Sequence, residues 1–303
     1  MKKELLGCGQ TGDGQLGVRL NSPSILLPEK IFGAPSGADG SIVKEIACGE
    51  NHTIFLTEKG EVWTVGNNTD GQLGRGSRGE GSFSIYPIGL VGVEIIQVAA
   101  GRAHSVAVGA DGRVFSWGGN IHGQLAQDST VQWQTSPKRI RDLMNIVQIS
   151  AGPDHCIALS EWGDVSVWGE QYDGRCLHTP QQMSRLEGVP IVRVVAGGRH
   201  CVAISACGNV FTWGHNDSGQ LGLGDTMPHG TVSCVTQMTG LGVIDAACGD
   251  AHTVLLTASG RIFTFGSDGL GQCGFSKKIE KRTLPAVVED LMGSEVSRIA
   301  AGR

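Results

Sequence analysis

One short element, Gly-x-x-His, recurs through the chain, and its regular return constrains the fold more than any other feature of the sequence. Its five copies begin and end at Gly49/His52, Gly101/His104, Gly152/His155, Gly197/His200 and Gly249/His252. Successive glycines of the element are 52, 51, 45 and 52 residues apart. Because internal periods of this length are typical of solenoids and propellers, the chain is predicted to consist of similar modules in which these residues have a structural role.

Two further elements follow each Gly-x-x-His at constant distances. A glycine preceded by an aromatic residue, as in Trp117-Gly118, comes 14 residues after the motif histidine, and the aromatic residue is replaced in Val65-Gly66. A Gly-Gln-Leu-Gly signature, as in residues 71–74, places its glutamine slot 6 residues further on. The remainder up to the next Gly-x-x-His varies from 34 to 22 residues. Constant spacing indicates a packed unit, whereas variable length is typical of surface connections.

Within each module the pattern indicates short strands joined by turns. Residues 52–56 lead into a glycine-containing turn and then into residues 62–65, which alternate in polarity with a period of two. The chain has 47 glycines in 303 residues, about twice the usual share. Glycine at this density supplies tight turns and interrupts long helices. Three to four short antiparallel strands per module therefore predict an all-β propeller.

Charge and cysteine usage limit the classes of partner. The net charge is −5, and the densest basic segment, residues 277–282, is interrupted by Glu280, so direct binding of nucleic acid is not expected. No apolar stretch reaches the roughly 18 residues that a membrane span requires. The nine cysteines are an odd number spread over the whole chain, which favours a reducing compartment. We expect the cytoplasm, with the nucleus as the alternative.

The three elements at these spacings resemble the repeat of the regulator of chromosome condensation (RCC1) family over nearly the whole chain. The resemblance implies a seven-bladed β-propeller, of which this chain has about six blade equivalents with half blades at both ends. We expect truncation before a seventh blade, because the last repeat stops at Ala301-Gly302-Arg303; closure with six blades is the alternative. One domain, residues 1–303, is expected, with repeats at about 1–34, 35–90, 91–142, 143–188, 189–240 and 241–292 and a partial repeat at 293–303.

Residues 290–303 and the opening residues 6–17 are most similar to the amino-terminal propeller of the small HERC-type ubiquitin ligases. The ligase reaction of that family needs a HECT domain with a catalytic cysteine, for which no length remains here. The chain is therefore predicted not to be an enzyme but to recruit or regulate protein partners, among them a ubiquitination substrate. Two alternatives are kept: a guanine-nucleotide exchange factor for a Ran-like small GTPase, and an architectural cytoskeletal or ciliary subunit.

The candidate partner-binding residues occupy the two variable positions inside each Gly-x-x-His, and one tryptophan of a variable loop joins them. They are Glu50, Asn51, Arg102, Asp154, Arg199, Asp250 and Trp133. The resemblance implies that the variable positions project from one face of the propeller. In the Ran exchange factor of the family, acidic side chains just before the motif histidine contribute to activity. Only Asp154 supplies an acid in that slot here, which disfavours nucleotide exchange.

Metal and cofactor sites are not expected. The motif histidines recur about one per blade, whereas a zinc site needs three or four ligands that converge on one point. Each histidine is instead predicted to bond the backbone of its own blade. Cys48 and Cys248 occupy an alanine slot and are predicted to be small buried residues. Cys156 and Cys201 replace the Thr or Ser that follows other motif histidines, and packing is the predicted role for both.

Overall fold

The structure, a computed structural model, describes residues 5–17, 24–31, 42–90, 92–276 and 279–302. Twenty-two β-strands are found in these residues, together with single-turn 3-10 helices at Ser184–Leu186, Thr236–Met238 and Glu289–Leu291. The strands are β1 (Leu6–Gln10), β2 (Ser24–Lys30), β3 (Val43–Cys48), β4 (His52–Thr57), β5 (Val62–Asn68), β6 (Gly79–Pro87), β7 (Ile95–Ala100), β8 (His104–Gly109), β9 (Val114–Gly119), β10 (Trp133–Ile140), β11 (Ile146–Ala151), β12 (His155–Ser160), β13 (Val165–Glu170), β14 (Cys176–Gln182), β15 (Ile191–Ala196), β16 (His200–Ser205), β17 (Val210–Gly214), β18 (His229–Cys234), β19 (Val243–Cys248), β20 (His252–Thr257), β21 (Ile262–Ser267) and β22 (Lys281–Val287). In the described part of the chain, no helix is long and apolar enough to cross a membrane.

The strands form one two-stranded sheet, β1-β2, and five four-stranded sheets in which neighbours in sequence are neighbours in the sheet. The five are β3-β4-β5-β6, β7-β8-β9-β10, β11-β12-β13-β14, β15-β16-β17-β18 and β19-β20-β21-β22. The pairing is antiparallel, as between β3, β4, β5 and β6. Each four-stranded sheet is thus a meander of the kind that the module spacing predicts.

The chain divides into two compact units, each of which is described by itself. Unit 1 comprises residues 1–149 and 177–180, and unit 2 comprises residues 150–176 and 181–303. The limits of the single domain and of its repeats stay a prediction.

Apolar side chains of successive sheets form the core inside each unit. In unit 1, Ile54 and Leu56 of β4 pack with Val98 of β7 and Trp117 of β9, all nearly inaccessible to solvent. In unit 2, a cluster of the same kind joins residues of β16 and β17 to residues of β19, β20 and β21. Since each fully buried aliphatic or aromatic side chain contributes roughly 1.5–3 kcal/mol, these clusters hold neighbouring sheets together.

The three repeat elements meet where one sheet joins the next. In unit 1, His52 Nε2 lies 2.9 Å from Ser105 Oγ, and the Ser105 hydroxyl donates to the backbone oxygen of Gln72 at 2.9 Å. The indole N–H of Trp117 donates to the same oxygen at 2.9 Å. Because the hydroxyl proton is directed at Gln72, the Ser105 oxygen accepts from His52 Nε2–H. This convergence explains the constant spacing of the three elements.

Unit 2 repeats this joint with other side chains. His200 Nε2 lies 2.9 Å from Thr253 Oγ1, whose hydroxyl donates to the backbone oxygen of Gln220 at 2.9 Å. His155 Nε2 lies 3.6 Å from Cys201 Sγ, so a thiol takes the place of the hydroxyl. Burial lowers the pKa of His200 to about 3, which keeps this imidazole neutral at physiological pH.

The prediction that each motif histidine bonds the backbone of its own blade is therefore wrong for His52 and His200, which bond a side chain of the following sheet. His155 likewise reaches Cys201 of the following sheet. The imidazole reaches the following sheet because its ring packs directly against the glycine that begins its motif. A Cβ at Gly49 would come within 2.3 Å of the His52 ring and 2.6 Å of the Gly101 oxygen. The motif glycine is needed for this close approach.

Candidate functional site

The two variable residues of each Gly-x-x-His lie in the turn between the first and second strands of a four-stranded sheet. Backbone hydrogen bonds join some of these turns inside a unit. In unit 1, the N–H of Glu50 donates to the oxygen of Gly101 at 3.3 Å, and in unit 2 the N–H of Gly198 donates to the oxygen of Gly249 at 3.0 Å. The turns therefore form a fixed backbone on which the variable side chains are displayed.

In unit 1, the structure brings two predicted residues together. Arg102 Nε lies 3.7 Å from Glu50 Oε2, and both side chains are about half exposed. An ion pair this exposed contributes about 0–1 kcal/mol to stability, so its groups are available to another partner at small cost. Asn51 uses its backbone oxygen to accept from the N–H of Asn67 at 2.7 Å. This bond fixes the turn against the end of β5.

In unit 2, the predicted residues differ in their exposure. Arg199 is directed toward Glu170, with a distance of 2.6 Å between Nη2 and Oε1, and Asp250 is exposed. Asp154 is only 6% exposed. Arg199 and Asp250 are therefore the residues of this set in unit 2 that face solvent, although the role of the whole set in binding stays a prediction.

Sequence reasoning missed Glu170, which lies at the end of β13 and has only 13% of its side chain exposed. Its slot, directly after the glycine of the aromatic-Gly element, holds Asn67, Gly119, His215 and Ser267 in the other modules. Because the modules share no residue type at this position, the sequence shows no motif there. The contact with Arg199 identifies Glu170.

Trp133 was predicted to lie in a variable loop, but it is the first residue of β10 and pairs with Gly119. The prediction was wrong because the part of the repeat that varies in length includes the edge strand β10, whose register shift accommodates Pro137. Trp133 is 42% exposed. The guanidinium carbon of Arg78 lies 3.8 Å from its ring centroid, a cation–π arrangement that holds the indole in place.

The cysteine predictions also have mixed outcomes. Cys156 and Cys201 are buried as predicted, and burial raises the pKa of both thiols. Cys48, predicted to be buried, is exposed, and Cys248 is intermediate. Cys48 ends the edge strand β3, in which Lys44, Ile46 and Cys48 are exposed in alternation.

The sequence model of the RCC1-like domain family matches residues 4–303. The chain is 38% identical over 98% of its length to the human "Probable E3 ubiquitin-protein ligase HERC6" and covers 25% of that protein. It is 39% identical over 96% of its length to the human "Probable E3 ubiquitin-protein ligase HERC3" and covers 28% of it. The chain thus spans about a quarter of the length of these relatives.

Solved structures give the same fold. The crystal structure of human WBSCR16 matches with a TM-score of 0.87 and 26% identity, covering 98% of this chain and 79% of that one. Prp20p from Saccharomyces cerevisiae matches with a TM-score of 0.84 over 96% of this chain and 74% of that one, at 19% identity. The fold class is therefore the all-β, RCC1-type β-propeller, as predicted. The chain belongs to the RCC1-like domain family, and its relatives include HERC-type E3 ubiquitin ligases.

Proposed function

We propose that this chain is a protein-interaction domain, the recruiting or regulatory RCC1-like domain of a HERC-like ubiquitin ligase. The observation that carries the proposal is the contrast inside the Gly-x-x-His turns. Their glycines and histidines are held by the fold, whereas the residues between them differ in charge and size from turn to turn. Arg102 in unit 1 and Arg199 in unit 2 are the exposed basic members of this set.

A backbone that is already ordered lowers the entropy lost on association. Binding energy at protein interfaces comes from a few anchors, and arginine is enriched among them. A change of side chain within a turn leaves the joint between sheets intact, because that joint uses the histidine and not its neighbours. The partner is therefore proposed to be a protein, with a ubiquitination substrate as the leading candidate.

Catalysis is not part of the proposed role of this chain. Ligase activity is named for relatives of which the chain covers about a quarter, and a HECT domain elsewhere in such a protein would perform the transfer. We further propose a cytoplasmic location, to be checked by fractionation of cells that produce the full-length protein.

Affinity capture from cell extract followed by quantitative mass spectrometry tests the proposal. We expect Arg102→Glu combined with Arg199→Glu to lower recovery of the specific partners about tenfold or more, because the reversal affects one turn in each unit. The matched control reverses Arg113 and Arg175, which are exposed and paired with Asp111 and Asp173 outside these turns. Equal recovery with both double variants would contradict the proposal.

Two further results would favour the alternatives. Strong acceleration of fluorescent-nucleotide release from Ran or another small GTPase, at sub-stoichiometric amounts of the chain, would support an exchange factor. Recovery of cytoskeletal or ciliary subunits alone, without components of the ubiquitin pathway, would support an architectural role.

A further inference from the structure

Unit 2 has a second exposed surface, at the end of its sheets away from the Gly-x-x-His turns. It begins in the turn between the second and third strands. The tip residues of these turns in the five four-stranded sheets are Lys59, Asp111, Trp162, Cys207 and Ser259. Trp162 is thus an aromatic residue where the other modules have small or charged ones, and it is 66% exposed. One exposed apolar side chain is ordinary, whereas a group of them at one end of the sheets marks an interaction site.

Two apolar residues on neighbouring strands extend this exposed surface. In both β15 and β19 the pairing register shifts between the first and third residues, which is a β-bulge. The extra residues are Val192 and Ile244, each 55% exposed, whereas the preceding Ile191 and Val243 are buried. A bulge redirects the side chain of the extra residue, and in unit 1 the same slot holds Lys44 in β3 and the partly buried Ile96 in β7. The apolar side chains at this slot in unit 2 are therefore displayed by the fold.

Two contacts join the elements that carry these three residues. Arg193 Nε lies 2.8 Å from Asp245 Oδ1, so β15 and β19 are joined one residue beyond Val192 and Ile244. The turn that carries Trp162 lies against the start of β15, because a Cβ on Gly163 would be 3.3 Å from the backbone nitrogen of Ile191. Trp162, Val192 and Ile244 are exposed and lie on elements that these two contacts join, and we term them the Trp162 surface.

The charges around the Trp162 surface are mainly acidic. Glu161 precedes the tryptophan, and Asp164 follows it by two residues. Glu187 is exposed in the segment that leads to Val189, whose oxygen lies close to Gly163. Arg193 and Asp245 neutralise each other. Residues 161–164 and 184–189 then supply three carboxylates and one basic side chain, that of Arg185.

We propose that the Trp162 surface docks an amphipathic segment of a partner protein, with aliphatic side chains against Trp162, Val192 and Ile244 and flanking Lys or Arg side chains against the acidic rim. Tryptophan is enriched among the residues that dominate binding energy, and complementary charge fixes the orientation of a partner. This surface is separate from the Gly-x-x-His turns, so the inference does not depend on the function proposed for them.

Display selection tests the inference. A random library of peptides about twelve residues long is selected on the full chain, and the enriched peptides are synthesised and titrated by fluorescence anisotropy. We expect peptides that combine aliphatic residues with two or more Lys or Arg. Trp162→Ser should weaken their binding about tenfold or more, and Glu161→Lys should weaken it less.

The matched control is Trp133→Ser, which removes another exposed tryptophan and should leave binding unchanged. Arg199→Glu should also leave it unchanged, which separates this surface from the Gly-x-x-His turns. Thermal unfolding of Trp162→Ser should match that of the wild-type chain, because the side chain is exposed. Enrichment of acidic peptides, or of peptides insensitive to Trp162→Ser, would overturn the inference. Self-association of the chain that Trp162→Ser abolishes in sedimentation velocity would also overturn it, because the occupant would then be a second copy.

Discussion

At the residue scale, Ala126 shows how a single position departs from the repeat. It ends the third Gly-Gln-Leu-Gly signature and has a φ of 50°. Glycines end four other copies, with φ between 68° and 80°: Gly17, Gly74, Gly222 and Gly274. A left-handed backbone costs an L-residue roughly 1–2 kcal/mol. The module therefore imposes its turn even where the residue type opposes it.

Ala126→Gly should raise the free energy of unfolding by up to about 1 kcal/mol, since relief of the left-handed strain exceeds the added flexibility of the unfolded chain. Urea unfolding monitored by tryptophan fluorescence measures the change. The control is Ala110→Gly. Ala110 lies in a turn and its φ is not positive, so this change should lower the free energy of unfolding. An Ala126→Gly chain that is less stable than wild type would contradict the strain argument.

Cys207 should be the most reactive thiol of the folded chain. It is exposed, and hydrogen bonds from Ser205 and from the backbone of Asn209 lower its pKa, whereas burial raises the pKa of Cys273 to about 11. Iodoacetamide at neutral pH followed by peptide mass spectrometry should label Cys207 first. Ser205→Ala should slow this labelling. Faster labelling of Cys273 in the folded state would be inconsistent with both assignments.

At the scale of single elements, the β21–β22 pair contains a residue exchange that adds a charge, and a second residue balances this charge. The turn after β21 carries Asp268 at a position where three other modules have asparagine. The Asp268 carboxylate is buried and accepts from the backbone N–H of Cys273 at 3.1 Å. Its second oxygen lies 3.0 Å from Arg282 Nε, in a side chain that is 16% exposed. The Arg282 guanidinium also lies 3.6 Å from the Phe275 ring centroid. The charge of Asp268 is thus matched by a residue of the partner strand.

Asp268→Asn should cost about 2–4 kcal/mol, because it removes the carboxylate that compensates the largely buried Arg282. The third repeat has Asn120 and Gln134 at the equivalent positions. Asp268→Asn combined with Arg282→Gln should therefore recover a large part of the loss. A double-mutant cycle of denaturant unfolding measures the coupling, and additive effects of the two single changes would refute it.

The joint between sheets is the second element-scale feature with a direct test. Thr253→Val keeps the shape of the side chain but removes the hydroxyl that lies between His200 and Gln220. The buried imidazole and carbonyl then lose a partner, so stability should fall by about 1–3 kcal/mol. Thr253→Ser keeps the hydroxyl and should cost less. If both variants unfold at the same urea concentration, the bond does not hold the sheets together.

For the whole molecule, the buried histidine joints make stability depend on pH. Burial lowers the pKa of His200 to about 3 and lowers the pKa of His252 as well. Because these values lie below the ordinary 6.5, the unfolded chain binds protons first as the pH falls. The stability that the neutral histidines contribute is fully present above about pH 6.5 and is lost as the pH falls from 6.5 to about 3.

Between pH 7 and pH 5, the free energy of unfolding should fall by roughly 1 kcal/mol per pH unit for each histidine that stays neutral in the native state. Urea unfolding at several pH values measures the slope. His200→Gln should reduce that slope. A slope that is the same in the variant and in the wild-type chain would exclude His200 as a source.

The sequence by itself determined the class of protein and its repeating strands, because the spacing from His52 to Gly66 and to Gln72 records a module that tolerates no insertion. It also located the turns that carry Arg102 and Arg199. Local signals of this kind follow from backbone geometry and need only the chain itself.

The tertiary structure alone decided which atoms meet. The partner of His52 is Ser105, 53 residues away, and the partner of Arg199 is Glu170, 29 residues away. The burial of Asp154 and the bulge that exposes Val192 likewise depend on the packing of neighbouring strands. Periodicity along a chain specifies which residues share a face, but contacts across sheets depend on side-chain length, direction and the space a neighbour leaves.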